Sequence, residues 1–258
     1  MPSYDASTAF GSDARVEHDF LRQVFAWMFL ALALTTGVAV WFHSSSGLTW
    51  VANHPTLFYI ALFAQLGFVF ALRFILTSQR VSVQLAAFLF FVYAALTGAV
   101  FSILLDVYTT DSVVGAFAGA CGVFAAMALL GYTTQADLSR FGPILFAALI
   151  GIVVASVVFI FTGGQTLNLI IGWLGVIVFS GLTAYDMQNL KQMRAGGGFG
   201  GRFGLGGRGG GRGGYGGGQY ALSDTQSAEK LAILGALWLY LDFINLFISL
   251  LRIFGNQR

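Results

Sequence analysis

Apolar residues run along this chain in long unbroken blocks, and polar residues collect in the short stretches between them. Seven blocks stand out: Val24–Phe42, Thr56–Leu76, Gln84–Leu105, Ser112–Thr133, Pro143–Phe161, Leu167–Met187 and Leu231–Ile253. A hydrocarbon core of roughly 30 Å needs about 20 residues at a rise of about 1.5 Å each, so each block has the length of a membrane span. Backbone polar groups in lipid must be satisfied within their own element, and no alternating strand pattern is present, so helices are expected throughout. The expected fold class is an all-α membrane protein with seven transmembrane helices.

The composition agrees: 57% of the 258 residues are hydrophobic and 9% charged, against roughly 45–50% and 25% in soluble domains. Residues 1–23 are expected to form a cytoplasmic tail and 24–258 the transmembrane domain. The tail carries Asp5, Asp13, Arg15, Glu17, His18, Asp19 and Arg22 and ends without a small-residue cleavage site. The first span is therefore expected to be its own insertion signal. Between spans six and seven, residues 195–219 read AGGGFGGRFGLGGRGGGRGGYGGGQ. Glycine loses the most entropy on ordering and offers nothing to bury, so this segment is expected to be a flexible loop. Its arginines and aromatics are sparse for a nucleic-acid binder, and no nucleic-acid partner is expected.

Charge sets the orientation. One side of the membrane receives Arg15, Arg22, Arg80, Arg140, Lys191, Arg194, Arg202, Arg208, Arg212 and Lys230, with Arg73 just inside a span end. The other side receives Arg252 and Arg258. The positive-inside rule places the N-terminus in the cytoplasm and the C-terminus outside. The single cysteine, Cys121, lies within span four, excludes an internal disulfide and reads as a small core residue.

Within the spans a few polar residues remain. Asp242 sits near the middle of the seventh block, and at about 100° per residue Asp242, Asn245, Ser249 and Arg252 share one face. A carboxylate at a helix centre costs roughly 2.5–3.5 kcal/mol on insertion scales and should face protein or water. Asp186, with Thr183 on a nearby face of span six, is the expected partner, and Arg73 the candidate latch or counter-charge. Two carboxylates meeting in a site of low polarity cannot both ionise easily, so they share a proton. Fully ionised, they offer hard oxygen ligands suited to Ca2+. Asp106 and Asp111 fall in the third-to-fourth connection on the outer side, where they are candidate outer-mouth acids.

Three stretches, YTTQADLSRFGPIL from Tyr132, GLTAYDMQNLK from Gly181 and LYLDFINLFISLLRIFGNQR from Leu239, resemble the bacterial branch of the transmembrane Bax-inhibitor-motif family. The resemblance covers nearly the whole chain from about Glu17. It implies six helices wrapping a central seventh, with Asp186 and Asp242 as a pH-sensing pair gating a calcium leak and Arg73 as their latch. It also implies a bacterial inner-membrane location and no resident cofactor beyond Ca2+ as the transported or bound ion. The glycine-rich loop departs from the short connection usual in the family. An alternative reading is a non-transporting regulator holding a membrane protein partner, such as a protease. An intramembrane aspartyl protease is a remote alternative: the seventh block lacks GxGD, and Leu241 and Phe243 would crowd a catalytic water. A retinal-binding pump is excluded, because Lys191 and Lys230 both lie near the membrane surface. His18, His43 and His54 lack metal-ligand spacing, so the expectation is a protein that is not an enzyme.

Overall fold

The computed structural model describes residues 6–44, 53, 55–77, 82–194 and 225–256. Seven long helices follow in chain order: α1 Ala6–Ser44, α2 Pro55–Thr77, α3 Val83–Val107, α4 Thr110–Thr133, α5 Gly142–Thr162, α6 Gln165–Arg194 and α7 Thr225–Phe254. A short 3-10 turn, Leu138–Phe141, joins α4 to α5. Among the described residues, six helices are long and apolar enough to cross a membrane. The remaining one, α2, has 23 residues, about 34 Å of helix and enough for the same task. The expected glycine-rich loop, 195–219, lies outside the described residues.

Local chemistry sets the helix ends. Ser82 caps α3 by accepting from the Leu85 amide, and Thr109 caps α4 by accepting from Ser112. Asp137 does the same for the 3-10 turn through Ser139, and a proline opens α5. Gly163 and Gly164 adopt φ of 64° and 102°, left-handed conformations that let α5 reverse into α6 within two residues.

Three helices run past the expected spans. α1 begins at Ala6 rather than at Val24, and Phe20 and Leu21 are already core residues, so the bundle takes in part of the expected tail. α6 continues to Arg194 and α7 starts at Thr225. Apolar length reports membrane thickness, whereas a helix continues until a cap or breaker stops it.

The centre of the bundle is α7. Burial reaches 78% of its apolar window, against 6% for α5. It packs against α6, α1, α4 and α3, and lightly against α2, while α5 packs mainly on α6. The arrangement is thus a central helix in an uneven ring, with α5 outermost. Large apolar side chains point outward elsewhere, among them Phe29, Val114, Ile144 and Phe161, as lipid-facing residues should.

Candidate functional site

Glycines define how α6 meets α7. Gly172 packs against the Ser249 carbonyl, Gly175 against the Ser249 side chain, and Gly235 against Leu190. These contacts fix an antiparallel seam: from Gly175 to Leu190 is fifteen residues on α6, and from Gly235 to Ser249 fourteen on α7. Asp242 lies seven residues from both Gly235 and Ser249, two turns either way, and so on the face that both turn to α6. Asp186 lies one turn before Leu190 and two heptads after Gly172, and so on the face that both turn to α7. In this register Asp186 is level with Leu239 and Asp242 with Thr183. The two carboxylates are thus staggered by three residues, about 4.5 Å along the seam.

Both aspartates are fully buried, at 0% exposure. Neither is isolated, since each takes part in a polar or electrostatic interaction. The surroundings explain the burial of Asp186. Every residue from Leu182 to Leu190 is buried, because this half of α6 is enclosed by α4, α7 and the α4–α5 connection, whereas Trp173 and Ile177 in the other half are exposed.

The supporting polar residues use their donors locally. Thr183 Oγ1 donates to the Phe179 carbonyl at 2.8 Å, Asn245 Nδ2 to Leu241 at 2.7 Å, and Ser249 Oγ to Asn245 at 2.7 Å. Each is satisfied one turn back on its own helix, so none needs a partner to be tolerated in the membrane. Thr183 and Ser249 are buried and Asn245 half-buried. Arg252, on the same face, places its guanidinium 6.0 Å from the centre of the Phe159 ring on α5. Arg73 belongs to α2, and its side chain lies outside the described residues. Asp106 is exposed in the last turn of α3. Asp111, in the first turn of α4, lines an open cavity of about 400 Å³ with Ser112, Gly115, Ala116 and Phe254. The two acids therefore stand at the end of the bundle opposite the α4–α5 connection.

Cys121 is exposed on α4, which corrects its reading as a core residue: the inward face of α4 is taken by Ala116, Ala120 and Phe124.

Two features were not read from the sequence. The first is a clamp on the α4–α5 connection. Gln188 donates through Nε2 to the Ala136 carbonyl at 2.7 Å and accepts through Oε1 from the Leu138 amide at 2.8 Å. Lys191 Nζ donates to the Tyr132 carbonyl at 2.9 Å and lies 4.8 Å over the Tyr132 ring. Gly131 packs on the Ala184 backbone and Gly142 on the Tyr185 ring. The second is a polar layer on the far side of α7. Tyr240, fully buried, meets Thr35 Oγ1 of α1 at 2.7 Å. The Thr35 hydroxyl also reaches the Ala31 and Ala94 carbonyls, at 2.9 and 3.0 Å. The presence of Gln188 and Lys191 in the same stretch as Asp186 was the available signal for the clamp.

Among the described residues, no three His, Cys, Asp or Glu side chains cluster as a metal centre. A fully buried carboxylate on each of two adjacent helices, inside a bundle faced with apolar residues, defines an integral membrane protein with an acidic interior site. The family described as Inhibitor of apoptosis-promoting Bax1 matches residues 17–258, and the chain belongs to it. The inner membrane protein YbhL of Escherichia coli K12 is 42% identical over 240 residues, 93% of this chain and 92% of that protein. An uncharacterised protein of Deinococcus radiodurans is 38% identical over 239 residues, covering 93% and 90%. One from Borreliella burgdorferi is 33% identical over 244 residues, 94% of each chain.

Proposed function

We propose that the chain is a pH-sensitive calcium leak of the bacterial inner membrane, with its N-terminus in the cytoplasm, in which Asp186 and Asp242 hold either a proton or the passing ion. The observation that carries this reading is the burial of both carboxylates in one helix seam, about a turn apart. A packing role alone would be served by an amide at no charge, whereas an ionisable group within a membrane is costly and is kept for what its charge does. Ionised together, the pair supplies oxygen ligands of the hard type that Ca2+ prefers. Holding one proton between them, they lose much of that attraction. Two carboxylates, with no third acidic, His or Cys side chain grouped with them among the described residues, suit an ion in transit rather than a resident metal. Asp111 and its cavity stand at the outer mouth, where negative charge concentrates cations, and Arg73 is the counter-charge.

The test is 45Ca2+ uptake into proteoliposomes between pH 6 and 8, comparing wild type with Asp186→Asn and Asp242→Asn. Either substitution is expected to change both the flux and its pH response. Unchanged flux across that range in either variant refutes the reading. Absence of uptake by wild type would favour the other reading, a regulator that holds a membrane protein partner.

A further inference from the structure

Each aspartate has a hydrogen-bonding residue two positions away on its own helix: Gln188 beyond Asp186, and Tyr240 before Asp242. Two residues on a helix correspond to a turn of about 200°, so each of these side chains leaves the helix on the side opposite the carboxylate. Gln188 reaches away from the seam to the α4–α5 connection, where it bonds one carbonyl and one amide. Tyr240 reaches away to α1, where it bonds Thr35, and its ring is held edge-on by Phe90 at 5.7 Å and by Tyr93 at 6.1 Å. Both anchors are buried, and each joins its helix to a segment more than 45 residues distant in the chain.

We propose that Gln188 and Tyr240 are positioning residues that hold α6 and α7 from behind, fixing the rotation at which Asp186 and Asp242 enter their common seam. The inference rests on the reading of that pair as the ion site. Rotation is the coordinate that matters here. The small contact residues of the seam, Gly172, Gly175 and Gly235, set how closely the helices approach but present no side chain that resists turning. A hydrogen bond on the far face does resist it, because any rotation that carries a carboxylate out of the seam stretches the anchor. Partners of this kind, which orient ligands without touching the ion, typically alter affinity by about 10- to 100-fold when removed.

Tyr240→Phe and Gln188→Met keep shape and volume while removing the hydrogen bonds. In proteoliposomes, each is expected to raise the half-saturating Ca2+ concentration for uptake about tenfold with little change in maximal flux. Thr35→Val should reproduce Tyr240→Phe, and Thr35→Ser, which keeps the hydroxyl, should not. A second measurement is independent of transport. In a Cys121→Ser background carrying Asp186→Cys and Asp242→Cys, copper-phenanthroline should form an intramolecular disulfide, and either anchor substitution should slow it several-fold. Wild-type half-saturation and an unchanged cross-linking rate in the anchor variants would overturn the proposal, as would failure of the paired cysteines to cross-link with both anchors intact. If wild type takes up no Ca2+ but anchor substitutions still slow the cross-link, the transport reading fails and the anchoring stands.

Discussion

Gly131 of α4 lies against the backbone of α6 at Ala184, two residues from Asp186. A methyl group placed on Gly131 would stand 2.8 Å from both the carbonyl carbon and the Cα of Ala184, where carbon atoms prefer roughly 3.5–4.0 Å. The shortfall of about 0.7 Å, with a closer clash on the Ala184 carbonyl oxygen, falls on backbone, which cannot rotate out of the way as a side chain can. Gly131→Ala therefore has to push α4 and α6 apart, at a cost of about 1–3 kcal/mol for overpacking. The gain from replacing a helical glycine by alanine, about 0.5–1 kcal/mol, offsets part of this, leaving a net loss of up to about 2.5 kcal/mol. Gly115 is the internal control, being on the same helix with nothing within 4 Å of an added methyl, so Gly115→Ala should be neutral or slightly stabilising. Reversible unfolding in mixed detergent micelles, followed by circular dichroism, measures both. Equal midpoints for the two variants would refute the close approach of α4 to α6 at this point.

Two further predictions concern the periphery. The hydrogen bonds donated by the Ser139 hydroxyl and amide hold Asp137 below its ordinary value of 3.8. A carboxylate lowered in this way contributes stability that is present above its unfolded pKa and is lost as pH falls through the folded one. Ser139→Ala should move Asp137 back toward 3.8, read by carboxyl-carbon NMR, and should let the α4–α5 connection loosen at higher pH on acidification. Cys121, lying mid-helix and exposed among apolar neighbours, should resist a charged methanethiosulfonate in membranes, because a thiol facing hydrocarbon does not form the reactive thiolate, and should react once the protein is unfolded in detergent. Rapid labelling by the charged reagent would show that this face meets water.

The seven helices were legible because lipid imposes one rule on every span: a sufficient apolar length with no backbone group left open. α4 was expected from Ser112 and observed from Thr110. The same rule is silent about where a helix ends once it leaves the hydrocarbon, which is why α1, α6 and α7 overran their apolar blocks. The burial of Asp186 and Asp242 was legible because a carboxylate in such surroundings has to face protein or water rather than lipid. Gln188 and Lys191 were not, since near the end of an apolar block they pass for interfacial residues, and their partners lie 50 or more residues earlier. Tyr240 was hidden for the opposite reason: in a run of leucines its ring reads as one more apolar group, and only coordinates show where its hydroxyl goes. The lipid-facing side of α4 was misjudged because nearly every residue of that helix is small or apolar, leaving no polar stripe to mark its inward face.

The order of synthesis adds one consequence to the central place of α7. The ribosome delivers it after the other six, so the ring is laid down in the membrane before its axis exists. For that interval the inner faces of α1, α3, α4 and α6, including the carboxylate on α6, have lipid or water where α7 will be. A nascent chain halted before Thr225 lacks its middle rather than its edge.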